Sequence, residues 1–300
     1  MVSAEKRRPG SLRRRYLGSE ILFIAVITVC ILICIIPILH VVALSLSGRQ
    51  PVLARSVTIW PKEIDLNAYR SVFNDSVMQS SLFFSVKLTL GYTFLSMIFS
   101  VLLAYPLSKV NLPGRKWLMI FILVPMYFTG GTIPQYLWVK QLGILDSPWS
   151  LVWPVLISTY NTIILRNFFA SIPDSLEESA YLDGCNDFQI LWKIVLPLST
   201  AALATISLFY AVSRWNTISD VRYYINKNPK FYTLQLRLYQ MVFANDINTE
   251  VSMLEGGKNA VLSDQIKTTA IIFSTVPILL VYPFLQRYFV QGVMIGAIKE

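Results

Sequence analysis

Six apolar runs, each close to the length that crosses a lipid bilayer, limit what this chain can become more than any other feature. A helix needs roughly 20 apolar residues to span the hydrocarbon core. The runs fall at about 21–47, 81–108, 117–139, 149–170, 194–213 and 267–290. Hydrocarbon offers no partner for backbone N–H and C=O groups, so each run is expected to be helical through its depth. The third is interrupted by Thr129-Gly130-Gly131-Thr132 and Pro134, which predicts a break there. Composition agrees with this reading: 54% of the 300 residues are hydrophobic and only 14% charged, with a mean hydropathy of +0.54. A soluble domain carries about 25% charged residues. The expected fold class is an all-α polytopic membrane protein with six transmembrane helices.

Charge sets the expected orientation, because short loops rich in Lys and Arg stay cytoplasmic. Lys6, Arg7, Arg8, Arg13, Arg14 and Arg15 crowd the opening segment, which places residues 1–20 inside. Counting crossings through the membrane domain 21–290 then puts 109–116 and 171–193 inside, with the tail 291–300. The segments 48–80 and 217–266 fall outside. The second of these carries Arg222, Lys227, Lys230 and Arg237, but it is long, and long segments translocate regardless of charge. The net charge of +9 is divided between the two sides, which argues against a nucleic-acid surface. The first run is too long for a signal peptide's apolar region of ~7–15 residues and lacks a cleavage site, so it is expected to remain as a membrane helix.

Cys30, Cys34 and Cys185 show no metal or disulfide spacing and are expected to be small buried hydrophobes. The lone His40 is expected at an interface, and Lys87 is expected to snorkel to the headgroups. No GxxxxGK[ST] loop occurs, since Gly256-Gly257-Lys258 lacks the spacing and the hydroxyl. No Ser/His/Asp set or HExxH is present either, so no catalytic residue and no metal ligand is assigned.

One polar stretch stands out between the fourth and fifth runs: SIPDSLEESAYLDGCNDFQILWKIVLP, 171–197. Pro173 disfavours helix for the residue before it. Ser175 and Glu178 have the spacing of a capping box, and Gly184 suits a left-handed helix stop. Asn186 or Asp187 can cap the next helix, and Pro197 lies deep enough in it to kink it. A short helix, a sharp corner and a kinked crossing are predicted. By itself this pattern also suits an ordinary capped loop.

Spacing makes it more specific. Glu178-Ser179-Ala180, three residues, Gly184, nine residues, then Ile194-Val195-Leu196-Pro197 resembles the EAA loop of ABC importer permeases. The one departure is Ser179 in place of the first alanine. AYPLSK (104–109), GGTIPQYLWVKQLGILDS (130–147), FYAVSRWN (209–216), YTLQLRLYQ (232–240) and FVQGVMIGAIKE (289–300) extend the resemblance toward the carbohydrate-uptake branch, of the oligosaccharide and complex-glycan type. The resemblance implies that 174–197 is a coupling loop whose helix docks on a cytoplasmic ATPase subunit. Leu176, Glu178, Ser179, Ala180, Tyr181, Gly184, Leu196 and Pro197 are the implied coupling residues. It also implies a homologous second permease, two ATPase subunits and an extracytoplasmic solute-binding (lipo)protein in a bacterial cell membrane. ATP and Mg would sit on the ATPase subunits and no cofactor on this chain. Sugars are held by aromatic faces and polar hydrogen-bonders, which makes Tyr160, Asn161, Tyr210, Trp215 and Asn216 candidates for the substrate path. The same rings also suit the interfacial aromatic belt. The segment 217–266 is expected to meet the solute-binding protein. The rival readings are an ion-coupled secondary transporter and a polytopic membrane enzyme. The first is disfavoured by the lack of an inverted repeat and of acidic residues deep in the runs.

Overall fold

A computed structural model describes residues 10–244 and 263–297, with side chains over 20–243, 264–281 and at 283. The described residues are helical and irregular, without strands, and fall into two compact units, 1–72 with 256–272 and 73–255 with 273–300. The basic residues Lys6, Arg7 and Arg8, the half-loop 245–262 and the last residues 298–300 lie outside the described part.

In the first unit, α1 (Gly10–Leu46) leaves its side chains exposed over residues 20–40, Cys30 and Cys34 included. The two cysteines are therefore not buried as expected. They face outward on a helix that has lipid-like hydropathy. Beyond α1 lie α2 (Arg49–Leu53) and an irregular segment organised by Ser47. The Ser47 hydroxyl donates to the Ala43 carbonyl at 2.6 Å and accepts from the Lys62 N–H at 3.1 Å, and the side chain of Gln265 donates to the Ser47 carbonyl. A Cβ at Gly48 would lie 2.7 Å from the Glu63 carbonyl oxygen, so this close approach admits only glycine. His40 sits exposed, with Nδ1 2.6 Å from the Thr58 carbonyl.

The second unit follows α3 (Asn67–Asn74) and is organised along α4 (Ser76–Ser108). Asp75 caps α4 through the N–H groups of Val77 and Met78. Ser81, Ser85, Ser96, Ser100 and Ser108 are buried on α4, interleaved with Leu88, Tyr92 and Ala104. Small residues at helical spacing let neighbouring backbones approach closely, the usual solution where lipid supplies no hydrophobic drive between helices. The partners on this stripe are α7 (Thr159–Phe169), α11 (Thr200–Asn216) and α13 (Leu234–Ala244). One core surrounds Leu88, Tyr92, Leu151, Ile206, Tyr210 and Leu236, and a second surrounds Ala104, Tyr105, Leu165, Phe169, Ile190 and Val195. The two cores follow one another along α4, the first from Phe84 to Met97 and the second from Val101 to Tyr105.

Of the six crossings expected, with a break in the third and a kink in the fifth, the described residues show candidates of two kinds. Three described helices are long and apolar enough to cross a membrane: Glu20–Leu46, Ser76–Ser108 and Asp264–Val281, the last within α14 (Ser263–Ala297). Two bent pairs of shorter helices reach the same length and hydropathy when each is taken together, as a broken span or a re-entrant hairpin would. The third run is α5 (Arg115–Tyr127) and α6 (Thr132–Gln141), broken at the predicted glycines with a 114° bend. In the fifth run, Asp187–Leu198 meets α11 at 83°. The fourth run, 149–170, yields only the 11-residue α7, preceded by 3-10 turns at Pro148–Leu151 and Trp153–Val155. Each of those turns opens on or next to a proline, which removes a donor and resists α-helix.

That irregular stretch is half-buried, with Ser150, Leu151, Val152 and Leu156 inside, so its inner backbone needs partners from side chains. The Tyr92 hydroxyl donates to the Val155 carbonyl at 2.8 Å, and Arg214 Nη1 donates to the Leu151 carbonyl at 2.6 Å. The Ser158 N–H donates to the Tyr210 hydroxyl at 3.0 Å. Arg214 is only 3% exposed. It also pairs with Asp220 on α12 (Ser219–Tyr224) and lies over the Tyr92 ring, 5.5 Å from its centroid. Nearby, Asp146 holds a left-handed φ of 58° while its carboxylate accepts from the Asn226 and Lys227 N–H groups, each at 2.6 Å.

Two predictions follow from these ties. Arg214→Met leaves Asp220 without its ion-pair partner and the Leu151 carbonyl without its donor, and is expected to cost ~3–5 kcal/mol, the loss shrinking in Arg214→Met/Asp220→Asn. Thermal unfolding of the purified protein in detergent measures both. The hydrogen bond from the Lys227 N–H holds the Asp146 carboxyl below the usual carboxylate range, more than burial raises it, with Asn226 adding to the lowering. A lowered folded pKa gives stability that is present above the unfolded carboxylate value and is lost as pH falls through the folded one. Asp146→Asn, which tolerates the left-handed backbone, should therefore unfold earlier than the parent at neutral pH and converge with it in acid.

Candidate coupling site

The polar stretch builds α8 (Asp174–Leu182) at the end of α4 that carries Ser108. Pro173, at φ −59° and ψ 129°, leads the chain straight into the helix at Asp174. The capping box expected between Ser175 and Glu178 does not form, because both residues already lie inside the first turns. Asp174 and Glu177 instead place carboxylates at the partly positive helix start. At the other end the Cys185 N–H donates to the Ala180 carbonyl at 2.9 Å and the Gly184 N–H to the Tyr181 carbonyl at 3.0 Å. This pair of bonds is a Schellman stop, and it requires the φ of +82° that Gly184 adopts.

The next helical run starts two residues later. The Asn186 side chain accepts from the Gln189 N–H at 2.9 Å, and Gln189 accepts in turn from the Asn186 N–H at 3.0 Å. The Tyr181 hydroxyl donates to the Asp187 carboxylate across the corner. That hydrogen bond, then burial, pushes the Tyr181 pKa up to about 12, so the donor stays protonated throughout the physiological range. Helix, stop and restart thus form one stiff corner. Asp187–Ile190 (α9) continues into a π turn over Leu191–Val195 and a last α turn, Leu196–Leu198 (α10). Past Pro197 the chain bends at Ser199, whose N–H reaches the Val195 and Leu196 carbonyls at 3.0 and 3.1 Å.

Ala180 is the buried foot of α8, packed in the core with Phe169 and Ile190. Glu178 and Ser179 are exposed, and Ser179 donates to the Ser175 carbonyl within the helix. Leu176 is 43% exposed, Tyr181 47% and Leu182 90%, so the knob presents apolar side chains outward. Leu182 was not among the sequence candidates. It could have been found by placing Ala180 inward, because at 100° per residue position 182 falls on the opposite side. Glu177 was also missed: it turns back toward the bundle and pairs with Lys109, the residue that ends α4.

The five substrate-path candidates occupy α7 and α11 and divide by exposure. Tyr210 is 1% exposed, and its hydroxyl is used by Ser100 at 2.7 Å and by the Ser158 N–H. It has no surface to offer a ligand. Asn161 and Trp215 are buried at 6% and 8%. Tyr160, 57% exposed, and Asn216, whose Nδ2 donates to the Val212 carbonyl at 3.0 Å, remain at the surface. The described part of 217–266 attaches near the opposite end of α4 from α8, through the Leu234 N–H on Ser85 at 2.7 Å. Ser85 and Tyr105 are separated by about 30 Å of helix at 1.5 Å per residue. Among the described residues no group of His, Cys, Asp and Glu could hold a metal.

This arrangement has known counterparts. The sequence profile of the binding-protein-dependent transport system inner membrane component matches residues 87–295. The polygalacturonan/rhamnogalacturonan transport system permease protein YtcP of Bacillus subtilis is 45% identical over 269 residues, 89% of this chain and 93% of that protein. Protein LplC of the same organism is 40% identical over 268 residues, 89% and 90% of the two chains. A chain from the crystal structure of a bacterial ABC transporter involved in the import of the acidic polysaccharide alginate superposes with a TM-score of 0.84 at 31% identity. It covers 95% of this chain and all of that one. A second alginate transporter chain, at 17% identity and a TM-score of 0.57, shares the fold. Matched along most of its length by that profile and by two relatives well above 30% identity, the chain belongs to the family of binding-protein-dependent transport system inner membrane components.

Proposed function

We propose that this ABC transporter permease imports an oligosaccharide, with α8 as the element that receives the push from an ATPase subunit. The observation that carries the reading is the construction of α8. It has a buried alanine foot, a glycine-dependent stop, a capped restart and three exposed apolar side chains, Leu176, Tyr181 and Leu182, set around the exposed Glu178. A knob fixed at both ends passes on displacement that a floppy loop would absorb. Leu176 and Tyr181 serve as apolar anchors, Ser179 keeps the docking face low, and Leu196 and Pro197 lie in the stub that moves with the corner.

The saccharide class is supported by relatives named for polygalacturonan, rhamnogalacturonan and alginate transport. In this reading the N- and C-termini and α8 are cytoplasmic, and the segment 217–244 faces a solute-binding protein outside. A second permease completes the path, with ATP and Mg held by two ATPase subunits and no catalytic role for this chain. Tyr160 and Asn216 are the candidates with surface available to the sugar, while Tyr210 maintains the wall behind them.

The test is uptake by the complete complex in proteoliposomes, supplied with ATP and a binding protein loaded from a panel of neutral and acidic oligosaccharides. A Cβ at Gly184 would meet nothing within 4 Å, so a substitution there acts through backbone strain alone. Gly184→Val should strain the corner by ~1–3 kcal/mol and cut ATP-driven uptake, whereas Gly184→Asn, at home in the left-handed region, should retain most of it. Equal uptake by both variants in fully assembled complexes would show that the stiff corner is not required.

A further inference from the structure

The two ends of the α4–α8 junction are joined very differently. On one side Ala180 packs into the core with Tyr105, Phe169 and Ile190. On the other a cleft of about 740 Å³ opens between α8 and the turn that follows α4, with Lys109, Val110, Glu177 and Tyr181 in its lining. The cleft is spanned by one ion pair, Lys109 to Glu177, with the Lys109 side chain 27% exposed and that of Glu177 12%. The same ammonium lies over the Tyr105 ring, 4.4 Å from its centroid, and Tyr105 packs edge-on against Phe169 at the end of α7. Two residues earlier, the Leu107 carbonyl accepts from Arg115 Nε of α5 at 3.0 Å and from Arg166 Nε of α7 at 3.1 Å. The residues 107–109 therefore tie four helices, and α8 joins only through Lys109.

We propose that Lys109 is a positioning residue that latches α4 to the coupling helix through Glu177, so that the serine-striped spine moves with α8 instead of slipping past it. The inference rests on reading α8 as the receiver of the ATPase stroke. An ion pair suits this task better than apolar packing would. It holds direction across a gap that must stay open to motion, and its partial burial spares it the screening that makes surface pairs weak.

The experiment uses the assembled transporter in proteoliposomes and measures substrate taken up per ATP hydrolysed. The variants are Lys109→Met, the isosteric Glu177→Gln, and the exchange Lys109→Glu/Glu177→Lys. Each single variant should hydrolyse ATP at near the parental rate but transport roughly 5–10-fold less per ATP, with the exchange recovering at least about half, as expected of a directly coupled pair. A merely structural role would lower complex yield and leave the ratio unchanged. Single variants with the parental ratio would overturn the latch, as would singles that uncouple without rescue by the exchange. A parental complex lacking ATP-driven uptake would remove the permease reading, and the latch with it.

Discussion

Inside a membrane bundle, every backbone N–H and C=O that leaves a helix must find its partner within the protein. Most of this structure follows from how that demand is met. Three of the apolar runs in the second unit lose regular helix: at Gly130-Gly131, across 148–158 and at Ser199. At the second of these breaks the partners are identifiable. Tyr92, Arg214 and Tyr210, all from helices on the far side of the core, supply the bonds that the prolines took away. The buried serines of α4 serve the same end. They bring backbones close enough for such side chains to reach, and two of them, Ser85 and Ser100, are themselves partners.

What could be read from the sequence was what local chemistry decides. Gly184 had to be a left-handed stop, Asn186 could cap, the paired glycines had to break the third run, and Pro197 had to disturb the fifth. Each of these depends on residues within one turn of the feature. The start of α8 was misplaced for an equally local reason, since Pro173 offers its own way into a helix and makes the Ser175 cap unnecessary. The fourth run was misread because hydropathy counts apolar residues and is blind to Pro148 and Pro154.

What could not be read was tertiary. Tyr210 has the chemistry of a sugar-binding ring, and only the fold shows that its hydroxyl is committed to Ser100 and Ser158. Arg214 drew no reading from the sequence, yet it is the most deeply buried charge among the described residues. Glu177 and Glu178 are neighbours of identical type with opposite fates, one turned inward to Lys109 and one left outward. The spacing of the motif points to the second and says nothing of the first.

The bend at Ser199 divides the fifth run into a short arm and a long one. The short arm, Asp187–Leu198, is continuous with the stiff corner at its start and carries a π turn, a loosened form of helix, along its length. The long arm, α11, is cemented to the spine by Tyr210 and Arg214. The polypeptide is thus shaped like a cranked handle, whose grip lies at the surface and whose axle is sunk in the bundle. A turn of the grip is felt first at the elbow, where the free arm meets the one bonded to α4.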